Sequence, residues 1–597
     1  MDEIRHKKDD DTQFRYQSKR LPVQLSFSCC IAHSTMATNV EEQPGSKVCV
    51  IGAGVIGLVT TKNLLEQGLD VTTFERHEHV GGTWHVSDNG EQTTALEQTK
   101  LNTSKQTCSY SDFPFPEELP MHPLAIDVQR YLESYAKHFN LMPHIELSTE
   151  VDHVERDEEG KKWLVYTKDA KTGSLSCRSF DRVAVATGIL NTKHVPQVKG
   201  IELFAGDAIH SRQFKDASKY TGRNVLVVGI GATGADSTSF LVRAKAAKVY
   251  LSHRSQFLLL PRLVKGKAFD HTMSRRVGII VRAVLGVFPR VCGQLMTKAL
   301  MGIRSKEYPW LDKHPSFTVP RKMDGFPHRV PAFSDDLAEN LRDGHIETVL
   351  GIEEVTGPKS VTLTDGRVLE DIDAIIFCSG YFYDFSLVRG IGNPTDPVIA
   401  PDHHKEIQKT RFYDPQDKFP RLYRGFLSEQ YPESLAFLGH MIIMKPPILL
   451  YDLISMALAS LWTGGHGIEP AEERRKDIDI QYRFVVSTLD QGPMHHLGFR
   501  LISAKTYDWL NRVAGTGVTE LLGNCSWAAC KLWWRDRKFY NLLMDGTDVP
   551  AVYRLFDMGH GRKPWSGAKE RIAHVNAEVK ALGEAWEREN KNKKKTA

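Results

Sequence analysis

Residues 46–76 read SKVCVIGAGVIGLVTTKNLLEQGLDVTTFER, and this stretch decides the fold. An apolar run, Val48 to Ile51, meets Gly52, Gly54 and Gly57. A helix-forming run follows, then a β-rich run, DVTTF, that ends at Glu75. A buried strand, a glycine turn, a helix and a second parallel strand form the unit that holds a dinucleotide pyrophosphate. The three glycines give the tight turn, the close backbone approach to phosphate, and the helix–strand contact. Ala53, Val55 and Ile56, between them, are the other candidate contacts of this turn. The amides that open the helix favour an anion. Glu75 lies 18 residues past Gly57, near the spacing of about 20 at which an acid takes the ribose hydroxyls.

Residues 223–255, RNVLVVGIGATGADSTSFLVRAKAAKVYLSHRS, repeat the unit with Gly229, Gly231 and Gly234. Thr233, Ala235 and Asp236 are candidate contacts at the start of its helix. Here the second strand carries no acid and ends in Ser252 and Arg254. A carboxylate would pair with a free ribose diol and repel a phosphate. An arginine and a hydroxyl fit a 2′-phosphate through charge-assisted hydrogen bonds. The competing reading of Arg254 is a solvated charge at a strand end. One dinucleotide with a bare ribose and one NADP in the same chain suggest a resident flavin and a hydride donor, FAD with NADPH.

The expected fold is α/β: two Rossmann-like dinucleotide-binding domains, the NADPH domain inserted in the FAD domain, with a mainly helical insertion and C-terminal region. FDRVAVATGIL (180–190), DIDAIIFCSGYFYDF (371–385) and SLAFLGH (434–440) each read as a strand running into a glycine. The last two are taken as the chain's return to the first domain, with Gly380 a candidate cofactor contact. The expected organisation is a disordered extension over 1–45, the first part of the FAD domain over 46–215, and the NADPH domain over 216–335. The second part of the FAD domain spans 336–465, a helical C-terminal region 466–575, and a charged tail 576–597.

These residues resemble the flavin-containing monooxygenases. FAGDAIHSRQF (204–214) fits the family pattern FxGxxxHxxx[YF] through Phe204, Gly206, His210 and Phe214. GGTW (81–84), LNTSKQTCSYSDFP (101–114), FCSGY (377–381) and YRLFDMGHGRKPWSGAKERI (553–572) are similar to further family segments. Cys378 and Ser379 stand where the family usually has Ala and Thr, and Phe214 stands where the related Baeyer–Villiger enzymes typically have Trp. The resemblance implies that NADPH reduces FAD, that oxygen adds to give a flavin hydroperoxide, and that a nucleophilic nitrogen or sulfur is oxygenated. Two alternatives stay open: ketone oxygenation of the Baeyer–Villiger type, and an NADPH oxidase or reductase that releases hydrogen peroxide.

Asn102 is the catalytic residue that the resemblance implies, beside the flavin and in contact with NADP. A carboxamide donates hydrogen bonds without competing as a base. Gly82, Thr83, Trp84, Leu101, Thr103 and Val151 are further candidate cofactor contacts, with Trp84 read either as a flavin neighbour or as core. His210 either touches the NADP linker or holds the connection, and Arg212 is a phosphate contact or a surface charge.

Composition bounds the remaining classes. The 597 residues carry 77 basic and 73 acidic side chains, a formal charge of +4, too mild to imply nucleic acid. Nine cysteines without a CxxC spacing suggest reduced thiols and an intracellular setting. No metal site is read from the adjacent pairs His403–His404 and His495–His496, which lack a carboxylate at ligand spacing. Residues 1–35 lack the basic flank and clean apolar run of a signal peptide, and Met36 opens a second normal-looking start. No stretch reaches the roughly 18–20 apolar residues of a spanning helix. The stretch 261–325 holds 13 basic and 4 acidic residues around the apolar run VGIIVRAVLGVF (277–288). Together with the resemblance, that suggests a cytoplasmic enzyme peripheral on the endoplasmic reticulum membrane; the competing reading of the stretch is a buried helix with a solvated basic face. The partners expected are molecular oxygen and a small nucleophilic substrate.

Overall fold

The computed structural model describes residues 46–254, 257–287, 289–314, 328, 331–443, 445–494, 496–498, 503–523 and 526–596. The extension 1–45 lies outside the described residues, as do 315–325 of the basic stretch and His495.

Lys47–Ile51 pairs in parallel with Asp70–Phe74 on one side and Arg182–Val185 on the other. The sheet continues in parallel to Ile145–Glu146 at one edge and Leu435–Phe437 at the other. Leu427–Ser428 and Leu422–Tyr423 then extend it antiparallel. Parallel strands need covering on both faces, and this is why Val48, Cys49 and Val50 are fully buried. Helix Val55–Glu66 lies on one face and packs against helix Pro447–Trp462.

The second sheet is wholly parallel, in the order Ile346–Val349, Lys248–Ser252, Asn224–Val228, Ala374–Phe377, Asp207–His210. This corrects the expected organisation: Asp207–His210 and Ile346–Val349, expected in the first domain over 46–215 and 336–465, lie in the second sheet. Ala374–Phe377 does not return to the first sheet; it pairs along Asn224–Val228. A short apolar strand ending in glycine suits the centre of either parallel sheet, so its local sequence does not choose between them. The return to the first sheet comes instead with Leu422–Phe437.

Helices Arg275–Val287 and Pro289–Glu307 pack together within the basic stretch. The C-terminal part is helical and ends in Ala568–Thr596. No described helix is long and apolar enough to cross a membrane.

Candidate active site

The first glycine turn is built by crowding. Gly52 has φ +103°, and a Cβ there would lie 2.8 Å from the Ala186 carbonyl oxygen. At Gly57 a Cβ would fall 1.7 Å from the Gly52 oxygen. Gly54 is different: the nearest atom to an added Cβ is Gly82 Cα at 3.5 Å, an ordinary contact. The turn therefore needs glycine at 52 and 57 for its own backbone, whereas no crowding requires it at 54. Glu75 is 5% exposed; its Oε2 accepts the Ala53 amide at 2.8 Å and its Oε1 the His77 amide at 3.0 Å. The acid is thus fixed at the end of its strand, against the turn. Ala53 is fully buried, while Val55 is partly exposed at the helix start, its carbonyl taken by the Tyr110 hydroxyl. Ile56 belongs to the main apolar core.

Gly81 and Gly82 lie against this turn, joined by a bridge from Gly54 to Gly81. Thr83 is half-buried and its carbonyl accepts the Ala95 amide. Trp84 is half-buried and packs on the core that holds Leu101 and Tyr131. Val151, 9% exposed, is a core residue beside Phe74 and Ile51.

The second turn repeats the geometry. Gly229 has φ +113°, and a Cβ there would meet the Cys378 oxygen at 2.4 Å; one at Gly234 would meet the Gly229 oxygen at 2.0 Å. At Gly231 an added Cβ meets nothing within 4 Å. Thr233 is exposed and Ala235 buried. Arg254 is exposed at the end of its strand. Ser252 is 1% exposed, and its hydroxyl donates to the Leu350 carbonyl at 2.8 Å. The hydroxyl proton assigned to phosphate is therefore occupied by the backbone. Gly380, φ +90°, is exposed and open where a Cβ would point.

His210 is 3% exposed; its Nε2 pairs with the Gly380 carbonyl at 3.1 Å and its Nδ1 with the Arg212 amide at 3.2 Å. Both nitrogens are engaged as in a neutral ring, and burial pushes the imidazole down to about 4. Of the two roles expected for it, this geometry serves the connection. Arg212 donates to Thr93 Oγ1 and to the Asn191 carbonyl, so it ties the connection to the first unit.

Between the two units runs the loop 99–107. Asn102 is exposed, and its Oδ1 accepts from Arg262 Nη2 at 3.2 Å. Leu101 is buried and Thr103 half-buried beside it. Asp270 Oδ2 accepts from the Ser104 amide and hydroxyl, both at 2.9 Å, and from the Thr107 hydroxyl. His271 Nε2 meets Ser104 Oγ at 2.8 Å. Lys100 pairs with Asp336 at 3.2 Å. Asp236, half-buried on the second helix, is pushed up to about 6 by burial, with Arg262 acting against that shift.

Arg262 and Asp270 escaped the sequence reading. Both lie in the basic stretch, where their charge was counted only in aggregate. Arg262 is 3% exposed, stands 4.0 Å from Asp335, and keeps its Nε and Nη1 without a hydrogen-bond partner. An apolar neighbourhood in PRLV was the available signal that this arginine points inward.

Two glycine turns on parallel sheets, the first closed by a buried acid and the second by an arginine, with a clamped polar loop between them, define a two-dinucleotide oxidoreductase. The family model "Flavin-binding monooxygenase-like" matches residues 45–391, and the chain belongs to that family. It is 35% identical over 544 residues to monooxygenase aurF of Gibberella zeae, covering 90% of this chain and 99% of that protein. It is 34% identical over 384 residues to dimethylaniline monooxygenase [N-oxide-forming] 2 of Rattus norvegicus, covering 63% of this chain and 68% of that one. Two solved structures share the fold. S-allyl-L-cysteine S-oxygenase from Allium sativum has TM-score 0.55 at 17% identity, over 89% of this chain and 99% of that one. The OTEMO complex with FAD and NADP has TM-score 0.56 at 18% identity, over 79% of this chain and 98% of that one. The chain is a flavoprotein monooxygenase that uses FAD and NADPH.

Proposed function

We propose that the enzyme oxygenates a nucleophilic nitrogen or sulfur of a small organic molecule, using NADPH and molecular oxygen. The observation that carries this reading is Asn102. Arg262 donates to its amide oxygen, and in this reading the Nδ2 group of the exposed residue is the neutral donor offered to the reaction. A fixed donor that is not a base suits a site where charge develops on oxygen and a proton must not be lost to a side chain.

Bound FAD, once reduced by NADPH, supplies the activation of oxygen. The chain's own groups do the rest. The open faces of Gly54 and Gly231 admit the two pyrophosphates, and Glu75 receives ribose hydroxyls. Arg254 receives the 2′-phosphate of NADPH. Asp270, His271 and Arg262 hold the loop that carries Asn102. The names of the rat relative, an N-oxide-forming enzyme, and of the garlic S-oxygenase support nitrogen and sulfur as targets.

The test is a panel of tertiary amines, thioethers and ketones, with NADPH consumption, oxygenated product and peroxide measured together. N-oxide or sulfoxide formed in step with NADPH supports the reading. Esters formed from ketones alone would place the enzyme with the Baeyer–Villiger type, and peroxide without product would make it an oxidase.

A further inference from the structure

Residues 576–596, read in the sequence as a charged tail, continue helix Ala568–Thr596. The helix lies along the body. Ile572 and Val575 are fully buried, Val579 is 6% exposed, and Leu582 and Trp586 are half-buried. These positions recur at the three-to-four spacing of one helical face. Lys580, Glu584, Glu587 and Arg588 take the solvent side.

The inner face of this helix meets two segments, and both lead to Asn102. The first is the loop 99–107 itself. Glu578 Oε1 accepts from Gln106 Nε2 at 2.9 Å, and Gln106 is 2% exposed. Next to it, the buried Lys105 ammonium donates to the Leu119 carbonyl at 2.7 Å. Glu117, two residues before, is held from the helix by Arg571 at 3.2 Å and His574 at 3.0 Å. The second segment is the hairpin of Leu263–Val264 with Lys267–Ala268. Gly266, φ +73°, lies in its turn, where an added Cβ would fall 2.5 Å from Trp586 Cβ. From Gly583, an added Cβ would meet Lys267 Cε at 2.3 Å. This hairpin joins Arg262, which donates to Asn102, to Asp270, which clamps Ser104 and Thr107.

We propose that the C-terminal helix is a positioning element of the oxygenation site: Glu578 and Trp586 hold the loop and the hairpin that aim Asn102. The proposal rests on the role given to Asn102 above. Neither residue is catalytic; each acts through the supports of Asn102. Asn102 lies in a segment without helix or strand, and such a segment owes its geometry to what is packed around it. A displacement of about 1 Å, even when caused far away, costs about 100-fold in rate. Gln106 and Glu578 are 472 positions apart, so the loop is complete only when the end of the chain has docked. Glu75, Arg254 and both glycine turns keep their own supports when the helix is loosened, so NADPH still reduces FAD. Oxygenation then lacks its aligned donor. Lost alignment is read as peroxide released per NADPH, not as lost cofactor.

The test uses the full, FAD-loaded chain with the best amine or thioether of the substrate panel. Glu578→Ala/Trp586→Ala should retain FAD, and NADPH should reduce it without oxygen at the parent's rate. Its product per NADPH should fall ~10- to 100-fold, with peroxide taking up the difference. Amide hydrogens of residues 99–107 and 263–271 should exchange at least ~10-fold faster, while those of helix Val55–Glu66 stay as in the parent. Glu578→Gln/Trp586→Phe, which keeps an acceptor and a ring, should restore most of the coupling. Glu578→Ala alone removes little packing and reads the same ratio if the double variant does not fold. The proposal fails if the alanine variant is coupled as the parent is while Asn102→Ala releases peroxide. It also fails if FAD retention and NADPH reduction fall together with coupling, which would make the helix a brace of the whole fold. A fully coupled Asn102→Ala would instead sink the reading of Asn102, and the proposal with it.

Discussion

Ser252 and Arg254 end the same strand yet stand in different surroundings. Ser252 is buried with its hydroxyl on the Leu350 carbonyl, and Arg254 is exposed. Arg254→Ala should cost roughly 1.5–3 kcal/mol of NADPH recognition, about 10- to 150-fold in KM. It should leave the KM for NADH unchanged. Ser252→Ala should leave the NADPH preference intact, because the proton it removes serves the backbone. Steady-state kinetics with both donors check the pair, and a parent enzyme that prefers NADH would sink the assignment. Asn102→Ala should keep its FAD and still consume NADPH, with peroxide rising as product falls; a fully coupled variant would remove Asn102 from the chemistry. What the sequence showed at this scale was whatever is local. The three glycines and Glu75 lie within one supersecondary unit, and their spacing carries their meaning. Ser252 meets its acceptor 98 residues away and Arg262 meets Asn102 across 160. No short-range pattern encodes such pairs.

The first βαβ element separates the glycines that its own backbone requires from the one that it does not. Gly57→Ala would drive a Cβ to 1.7 Å from the Gly52 oxygen, so it should destabilise the fold itself. Gly54→Ala meets only an ordinary contact and should melt near the parent while failing to retain FAD. Gly231→Ala has open space and should give a stable yellow protein that NADPH reduces poorly. A colourless, folded Gly231→Ala protein would mean that the two sites are exchanged. The element between the two units also carries a pH response. His77, His79 and His85 stack around the Gly81–Trp84 turn, with ring centroids 5.3 and 3.4 Å apart. Burial first, then Arg76 and His79, hold His77 down to about 4, and burial holds His85 below its ordinary range. A histidine depressed in the folded state adds stability above its unfolded value near 6.5 and loses it as pH falls towards the folded value. Melting temperature and FAD retention should therefore decline together between about pH 6.5 and 4. His77→Gln/His85→Gln should flatten that decline, and coincident curves for parent and variant would rule the stack out as its cause. The motif HEHVGGTWH announced its glycines in the sequence. The stacking of its histidines depends on a left-handed turn at Gly81 and Gly82 that brings the two flanks together.

At the scale of the molecule, the C-terminal part is a foundation of the first domain. Arg554 is 2% exposed beneath helix Val55–Glu66. Its guanidinium meets Glu66 at 2.9 Å, Asp112 at 3.1 Å and Asn63 Oδ1 at 2.7 Å, and Lys62 meets Asp112 at 2.6 Å. Burial works to raise Glu66, but Arg554 and Lys62 outweigh it and hold the carboxyl down to about 2. Nearby, Asp548 joins Arg275 of the basic stretch to Lys445. Against burial, those two cations hold its carboxyl down to about 2. The two knots fasten residues 548–554 to the far end of helix Val55–Glu66 and to the basic stretch at once. Removing one partner of a buried ion pair leaves the other charge desolvated and uncompensated, a loss of about 3–5 kcal/mol. Arg554→Met should therefore lose much of the chain's stability at pH 7, although Arg554 lies far from Glu75 and Asn102 in sequence. The sign of its pH dependence is specific. With this guanidinium gone, burial weighs more heavily against the Glu66 carboxylate, so mild acid should return part of the lost stability to the variant while it returns none to the parent. Thermal melts from pH 7 to 5 read this directly. A variant that melts with the parent at pH 7, or that weakens further in mild acid, would show that the first sheet and its helix stand without their C-terminal anchor.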